Sequence, residues 1–314
     1  ENNPSPKISV IISAYNAEDF IDDCMINLLN QSYFNKLEII IIHSASEDKT
    51  AEKLEPYLSD FVNIRYYKSL DKISIYEAWN IGVEVSRGDY ITPFSTNDAL
   101  NPNAYEFMYK ALERNPTVAL VYGDTYLTDY PHQKFNSYVP SKKYNGGWFW
   151  RSWDYRDLLF SCMIGPHPMW RKSIHHKIGL FDTTFSRIGD QEFWLRAGES
   201  HMFLHLPIVT GLVWLSDKSL SFSTEETNEE LTAIRCKYQK KFLSSHHNIP
   251  VTHLCDKLPY YNDTLEKNIP VSLEFFTTQI VRMAETNQFD KAYKIYKAFR
   301  FMFANRGELD SFDQ

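Results

Sequence analysis

Ile8-Ser9-Val10-Ile11-Ile12-Ser13-Ala14-Tyr15-Asn16 and Glu38-Ile39-Ile40-Ile41-Ile42-His43-Ser44 decide how this chain is read. Each is an unbroken apolar run that ends in a polar cluster. An apolar run without alternation is the mark of a strand covered on both faces, as in the parallel sheets of α/β proteins. Between the two runs, residues 18–30 carry Phe20, Cys24 and Leu28 at helical spacing, so the whole stretch predicts a βαβ unit.

The same alternation continues outward. Helices are expected at 51–58, 75–85 and 104–114, and strands at 64–67, 90–94 and 118–122. In such a sheet ligands lie beyond the carboxyl ends of the strands. Polar clusters stand at those ends: Ser13 to Asn16, His43 to Asp48, and Ser95-Thr96-Asn97-Asp98. Asn16, with Asp19 three residues on, is expected to cap the first helix, and Ser46 the second.

From Trp148 to Trp214 aromatics crowd together and Pro, Gly and His interrupt the runs, which predicts a less regular half. Beyond residue 225 the pattern turns helical. Residues 271–285 and 290–303 read as a helical hairpin with Phe276, Ile280, Ala292, Ile295, Tyr296 and Phe299 inward.

Composition narrows the function classes. The chain has 314 residues, 43% of them hydrophobic, enough for a large core. Its net charge of −7, without a long run of like charge, argues against a nucleic-acid partner. No stretch approaches the ~18 consecutive apolar residues of a membrane span. The start at Glu1, with neither Met nor a signal-like segment, reads as a trimmed chain. Cys24, Cys162, Cys236 and Cys255 have no Cys-x-x-Cys spacing and are expected as reduced thiols. The expected location is the cytoplasm, with the cytoplasmic face of a membrane as the alternative.

The clusters, in this order and on these strands, resemble glycosyltransferase family 2, the large inverting family. ISVIISAYN (8–16) looks like that family's opening strand and Tyr-Asn loop, and EIIIIHSASEDKT (38–50) like its second strand and helix start. IYEAWNIGVEVSRGDYITPFSTND (75–98) is similar to its helix, strand and metal loop. GLFDTTFSRIGDQEFWLR (179–196) resembles the segment that carries its general base.

The resemblance implies a GT-A type fold, an α/β architecture with a Rossmann-like, mostly parallel sheet flanked by helices. Residues 1–224 would form the catalytic domain, with 1–125 as the nucleotide-binding half and 126–224 as the acceptor-facing half. Residues 225–314 would be a C-terminal helical extension open to self-association or further domains. The implied reaction moves a sugar from a nucleotide diphosphate sugar, UDP first, to a hydroxyl of a glycan, lipid-linked or protein acceptor, in a setting such as polysaccharide biosynthesis. Inversion by single displacement makes Asp190 the catalytic base.

The other roles follow by position. Ser13, Tyr15, Asn16, His43, Ser44, Asp71, Lys72, Trp79, Asn97 and Lys218 are expected at the donor, with Arg171 a further cation for its diphosphate. His167, Trp170, Trp194 and Asp124 are expected toward the acceptor. Asn97 and Asp98 would hold Mn²⁺ or Mg²⁺.

Several positions depart from the family pattern. Ser95 and Asn97 replace acids of the metal motif, which predicts a weaker, Mn²⁺-preferring or metal-independent site. His43 and Ser44 stand where an Asp often reads the nucleobase, Trp79 where many relatives have Arg, and Ser216 where a His is common. These losses motivate a second reading, a weakened, non-catalytic binding or scaffold domain. A nucleotidyltransferase is disfavoured, because no Gly-rich, Lys/Arg-bearing loop follows the first strand.

Overall fold

A computed structural model describes residues 5–150, 152–159, 162–216 and parts of 230–241. Lys218 and the expected hairpin lie outside the described residues. The chain divides into two compact units, Glu1–Trp153 with Ile164–Phe222, and Asp154–Met163 with Ser223–Gln314.

In the first unit the two opening runs form β1 (Ile8–Ala14) and β2 (Leu37–His43), paired in parallel from Ile8↔Leu37 to Ala14↔His43. Their alternate residues feed two different cores, as the period of a strand demands. Val10, Ile12, Ile39 and Ile41 pack with Cys24, Met25 and Leu28 of α1 (Ile21–Leu29). Ile40 and Ile42 turn to the other face, where Ala78 of α3 (Ile75–Val85) covers them. Helix α3 lies so close that a Cβ on Gly82 would stand 2.6 Å from Ile11 Cγ2.

Helix α2 (Thr50–Asp60) leads to β3 (Ile64–Lys68), and β4 (Tyr90–Pro93), β5 (Ala99–Leu100), α4 (Ala104–Arg114) and β6 (Val118–Thr128) follow. After β7 (Gly147–Trp148) come β8 (Met169–Arg171), the short α6 (His175–Ile178), α7 (Gly189–Gly198) and β9 (Met202–Trp214). The strand order is β3-β2-β1-β4-β8-β6-β9-β5, with β7 on β6. Strands β3, β2, β1 and β4 are parallel, β8 enters antiparallel, and β6 and β9 pair in parallel. This is the α/β sheet that the sequence predicts, with its carboxyl ends where the polar clusters fall.

Strand β9 is the main element that the apolar pattern does not announce. Its register against β6 shifts at Gly123 and Asp124, and its burial follows no simple alternation. The caps also differ. Helix α1 starts at Ile21 without a side-chain cap; Asn16, at φ 45°, instead accepts from Glu47 N at 3.2 Å. Helix α2 starts at Thr50, whose N–H is bound by Asp48 Oδ1 at 3.0 Å rather than by Ser46. Helix α3 opens on a capping box of Ser74 and Glu77.

At the amino end of the sheet a buried carboxylate does the joining. Glu38, 3% exposed, accepts from Ser9 Oγ at 2.6 Å, from Arg65 Nη1 at 3.0 Å and from Gly88 N at 3.1 Å. A Cβ on Gly88 would meet Ser9 Oγ at 2.7 Å, so the knot needs glycine there.

The second unit contains α5 (Tyr155–Leu158), and its described residues between 230 and 241 are helical. There Leu231, Ile234 and Tyr238 are buried, at the spacing of one helix face.

Candidate active site at the strand ends

The loops after β1, β2 and β3 are bound to one another by short bridges. Ser44 N donates to Ala14 O and Asn16 N to Ser46 Oγ, both at 2.9 Å. Ala17 N reaches Thr50 Oγ1 at 2.8 Å and Glu18 N reaches Asp48 Oδ2 at 2.9 Å. On the far side Ser69 N donates to His43 O, and Ile73 N to Ser44 Oγ, again at 2.9 Å. The expected donor residues Ser13, Tyr15, Asn16, His43, Ser44, Asp71 and Lys72 therefore share one rim.

Within that rim the side chains differ in freedom. The Ser44 hydroxyl is tied to the Ile73 backbone. His43 Nδ1 bonds to Tyr66 Oη, while its buried Nε2 has no partner among the described residues. Burial first, and Lys68 second, hold the His43 imidazole below the usual histidine range, so it is neutral at pH 7. Tyr15, 43% exposed, carries the Lys72 ammonium 4.2 Å from its ring centroid, a cation–π contact.

The loop 95–98 behaves differently. Ser95 is exposed and Asn97 half-buried, but Asp98 is only 7% exposed. Its Oδ2 lies 3.2 Å from Nε2 of His167, which is 1% exposed. A Cβ on Gly211 would stand 2.5 Å from His167 Cε1, so the imidazole fits only beside glycine. Asp98 faces inward far enough that, after burial itself, its charge is the next cause raising the pKa of the buried Cys24 thiol. Thr96, Asn97 and Asp98 also wall a cavity of about 470 Å³ with Phe20, Asp23, Asn27 and His132.

This donor set does not fit the implied Mn²⁺ or Mg²⁺. Such ions want several hard oxygens, preferably charged, whereas the motif offers one carboxylate already committed to His167 and one neutral carboxamide. Among the described residues no group of three or more His, Cys, Asp or Glu is arranged to hold a metal.

Asp190 opens α7, half-buried, where its charge complements the helix dipole. Gln191 N donates to its Oδ1 at 2.9 Å, and the Tyr76 hydroxyl lies 3.2 Å from the same oxygen and 2.8 Å from Arg187 O. Burial pushes the Asp190 carboxyl above the usual range, opposed by those two hydrogen bonds. Tyr76 comes from the first turn of α3, directly after the loop that carries Lys72. The sequence reading does not single it out. Its mark is visible only in the fold, at Gly189, where a Cβ would sit 2.8 Å from the Tyr76 ring. Helix α7 is held in place by Glu192, paired at 2.8 Å with Arg196, whose guanidinium also donates to Leu180 O at 2.9 Å.

Burial corrects the expectations for Trp170, Trp194 and His167, and position corrects that for Arg171, while Trp79 and Asp124 have partners within the fold. Trp170 and Trp194 are 1% and 2% exposed and pack on each other with centroids 5.3 Å apart, among Phe181 and Phe193. They are core residues, and neither offers a face to an acceptor. His167 is likewise enclosed. Trp79 packs against Tyr76 and Phe181, and Asn80 latches the Phe181 backbone in both directions at 2.9 Å. Arg171 lies at the opposite end of the sheet, donating to Val118 O at 2.8 Å and Leu112 O at 2.6 Å. Asp124 is half-buried and accepts from Trp150 N and pairs with His205 Nε2, both at 2.9 Å. It thus shapes the Trp148–Trp150 loop.

Comparison with known proteins agrees with this architecture. Residues 9–179 match the family described as Glycosyl transferase family 2; Asp190 follows the matched segment. The chain is 27% identical over 242 residues to the uncharacterised glycosyltransferase YwdF of Bacillus subtilis (strain 168), covering 76% of this chain and 84% of that one. It is 26% identical over 202 residues to a chondroitin synthase of Escherichia coli, covering 64% of this chain but 28% of the synthase. Among solved structures, S. aureus TarS 1–349 in complex with UDP-GlcNAc is similar with a TM-score of 0.59 at 14% identity, over 93% of this chain and 81% of that one. The Pyrobaculum calidifontis mannosyltransferase PcManGT, in complex with GDP-Man and Mn²⁺, gives 0.53 at 11% identity, over 96% and 88%. With a family match over more than half its length and a strand order that delivers the polar clusters to one rim, the chain belongs to glycosyltransferase family 2.

Proposed function

We propose that this glycosyltransferase inverts configuration in a single displacement, taking its sugar from a nucleotide diphosphate donor, with a UDP-sugar as the first choice. The acceptor is a hydroxyl of a glycan, a lipid-linked saccharide or a protein. Asp190 is the base. Its carboxylate takes the proton as the acceptor oxygen bonds to the anomeric carbon and the bond to the diphosphate breaks, so the nucleotide diphosphate leaves with that electron pair.

The observation that carries this reading is the Asp190–Tyr76 pair. A partly buried carboxylate with a raised pKa is a stronger base than an exposed one. Tyr76 steadies it from the same helix that begins at the donor loop. UDP is supported by the UDP-GlcNAc in the TarS complex, and GDP by the GDP-Man in PcManGT. Tyr15 provides a ring for the nucleobase, and the half-buried rim around Asp124 and Trp150 is the acceptor side.

The test is a panel of UDP- and GDP-sugars assayed for donor hydrolysis and transfer, with Asp190→Asn as the control. The wild type should turn over at least one donor, and the variant should lose about 10²-fold or more in kcat with donor Kd unchanged. The inward-facing Asp98 favours the second reading, a binding domain without turnover. Nucleotide binding without hydrolysis or transfer of any donor would select it.

A further inference from the structure

The implied metal and the residues present disagree, and that disagreement has a specific resolution. A diphosphate, and still more a departing one, needs positive charge beside it. The loop that would supply it through a cation offers the neutral Ser95 and Asn97, and its one carboxylate is turned inward. Asp98 is 7% exposed and engaged by His167 at 3.2 Å, and Gly211 leaves the space that His167 fills. Swinging Asp98 outward would strand a buried imidazole whose other nitrogen, Nδ1, is already without a partner among the described residues.

Across the rim stands a cation in the opposite condition. Lys72 is exposed, and among the described residues its ammonium has no hydrogen bond or ion pair; it rests on the Tyr15 ring at 4.2 Å. The root of its loop is fixed, because Ser69 N and Ile73 N are bound to His43 O and Ser44 Oγ. The tip alone is free. An exposed cation–π contact is weaker than a charge-assisted hydrogen bond to phosphate, so an arriving diphosphate can draw the ammonium off the ring. That motion also uncovers the Tyr15 face for the nucleobase.

We infer that this enzyme binds its donor diphosphate without a divalent cation, with Lys72 moving from Tyr15 to the phosphates as the positive charge. The inference rests on the nucleotide-sugar reading above and goes beyond it in naming what neutralises the leaving group.

The experiment is calorimetry of UDP and GDP binding to the full chain, in EDTA and in excess Mn²⁺ or Mg²⁺, for wild type, Lys72→Ala and Lys72→Arg. The expected result is equal affinity with EDTA or metal, and a Kd about tenfold or more weaker for Lys72→Ala. Lys72→Arg should be largely rescued, because the charge remains. Binding that EDTA abolishes and Mn²⁺ restores would overturn the inference and leave the nucleotide-sugar reading standing. Metal-free binding that ignores Lys72→Ala would overturn the role of Lys72. If neither nucleotide binds in any buffer at millimolar level, the nucleotide-sugar reading fails together with the inference. Thermal unfolding of each variant separates these results from misfolding; at an exposed position the midpoint should not move.

Discussion

The two ends of the parallel sheet are built on opposite principles. At the amino end Glu38 is buried and saturated, with Ser9, Arg65 and Gly88 all donating to it. At the carboxyl end polar groups are left with unspent capacity: Lys72 on an aromatic ring, His43 with a buried nitrogen that has no partner among the described residues, Asp190 with a carboxyl held above its usual range. One end spends its polar groups on holding strands together, and the other leaves them available for the donor proposed above. The difference teaches where a substitution should harm stability and where it should harm turnover.

The comparison breaks most sharply at Asp190. Asp190→Asn should lower kcat by about 10²-fold or more while folding is unharmed. The sign of its stability effect is fixed by linkage. A carboxyl with a raised folded pKa contributes stability that is present below its unfolded pKa and lost as pH rises through the folded value. At pH 7 the charged form is therefore a burden, and the Asn variant should melt at the same temperature or higher. A large fall in its melting temperature would erase the contrast between the ends.

At the other end Glu38→Ala should cost about 3 kcal/mol in denaturant unfolding, since it strands Arg65 and several N–H donors. Donor affinity per folded molecule should stay unchanged. Gly189→Ala, which drives a Cβ into the Tyr76 ring, lies between the two classes: an overpacking loss of about 1–3 kcal/mol together with reduced kcat.

The smallest effect is the most diagnostic. The Tyr76 hydroxyl lowers the Asp190 pKa against burial. Tyr76→Phe should therefore move the acid limb of the kcat–pH profile upward, with only a modest loss at its plateau. An unmoved or lowered limb would detach Tyr76 from the base.

Much of this was legible in the sequence for a physical reason. Ile39 to Ile42 reads as a strand covered on both faces, and that run with its neighbours announced the βαβ alternation and the polar clusters at the strand ends, though not the strand order. Asp190 was singled out through its segment, and its role as base remains the proposal made above. What escaped depends on contacts between distant residues. Nothing near Asp98 reveals that it faces His167, and nothing near Trp170 or Trp194 tells an aromatic core from an aromatic platform. Arg171 was misplaced because a cation beside β8 reads alike at either end of a strand. Tyr76 stayed hidden because its partner is on another helix, and β9 because its bulged pairing with β6 blurs the alternation.

The contact between Gly211 and His167 also constrains how this loop can be altered. A side chain at 211 and an imidazole at 167 exclude each other, and while the imidazole stays, Asp98 has a reason to stay turned in. An acid introduced at position 97 alone would therefore leave the neighbouring carboxylate turned inward. A side chain at 211 would have to displace His167, and only with the imidazole gone would Asp98 be released from its partner. These three residues are thus coupled through shared space, so substitutions at 98, 167 and 211 should not add.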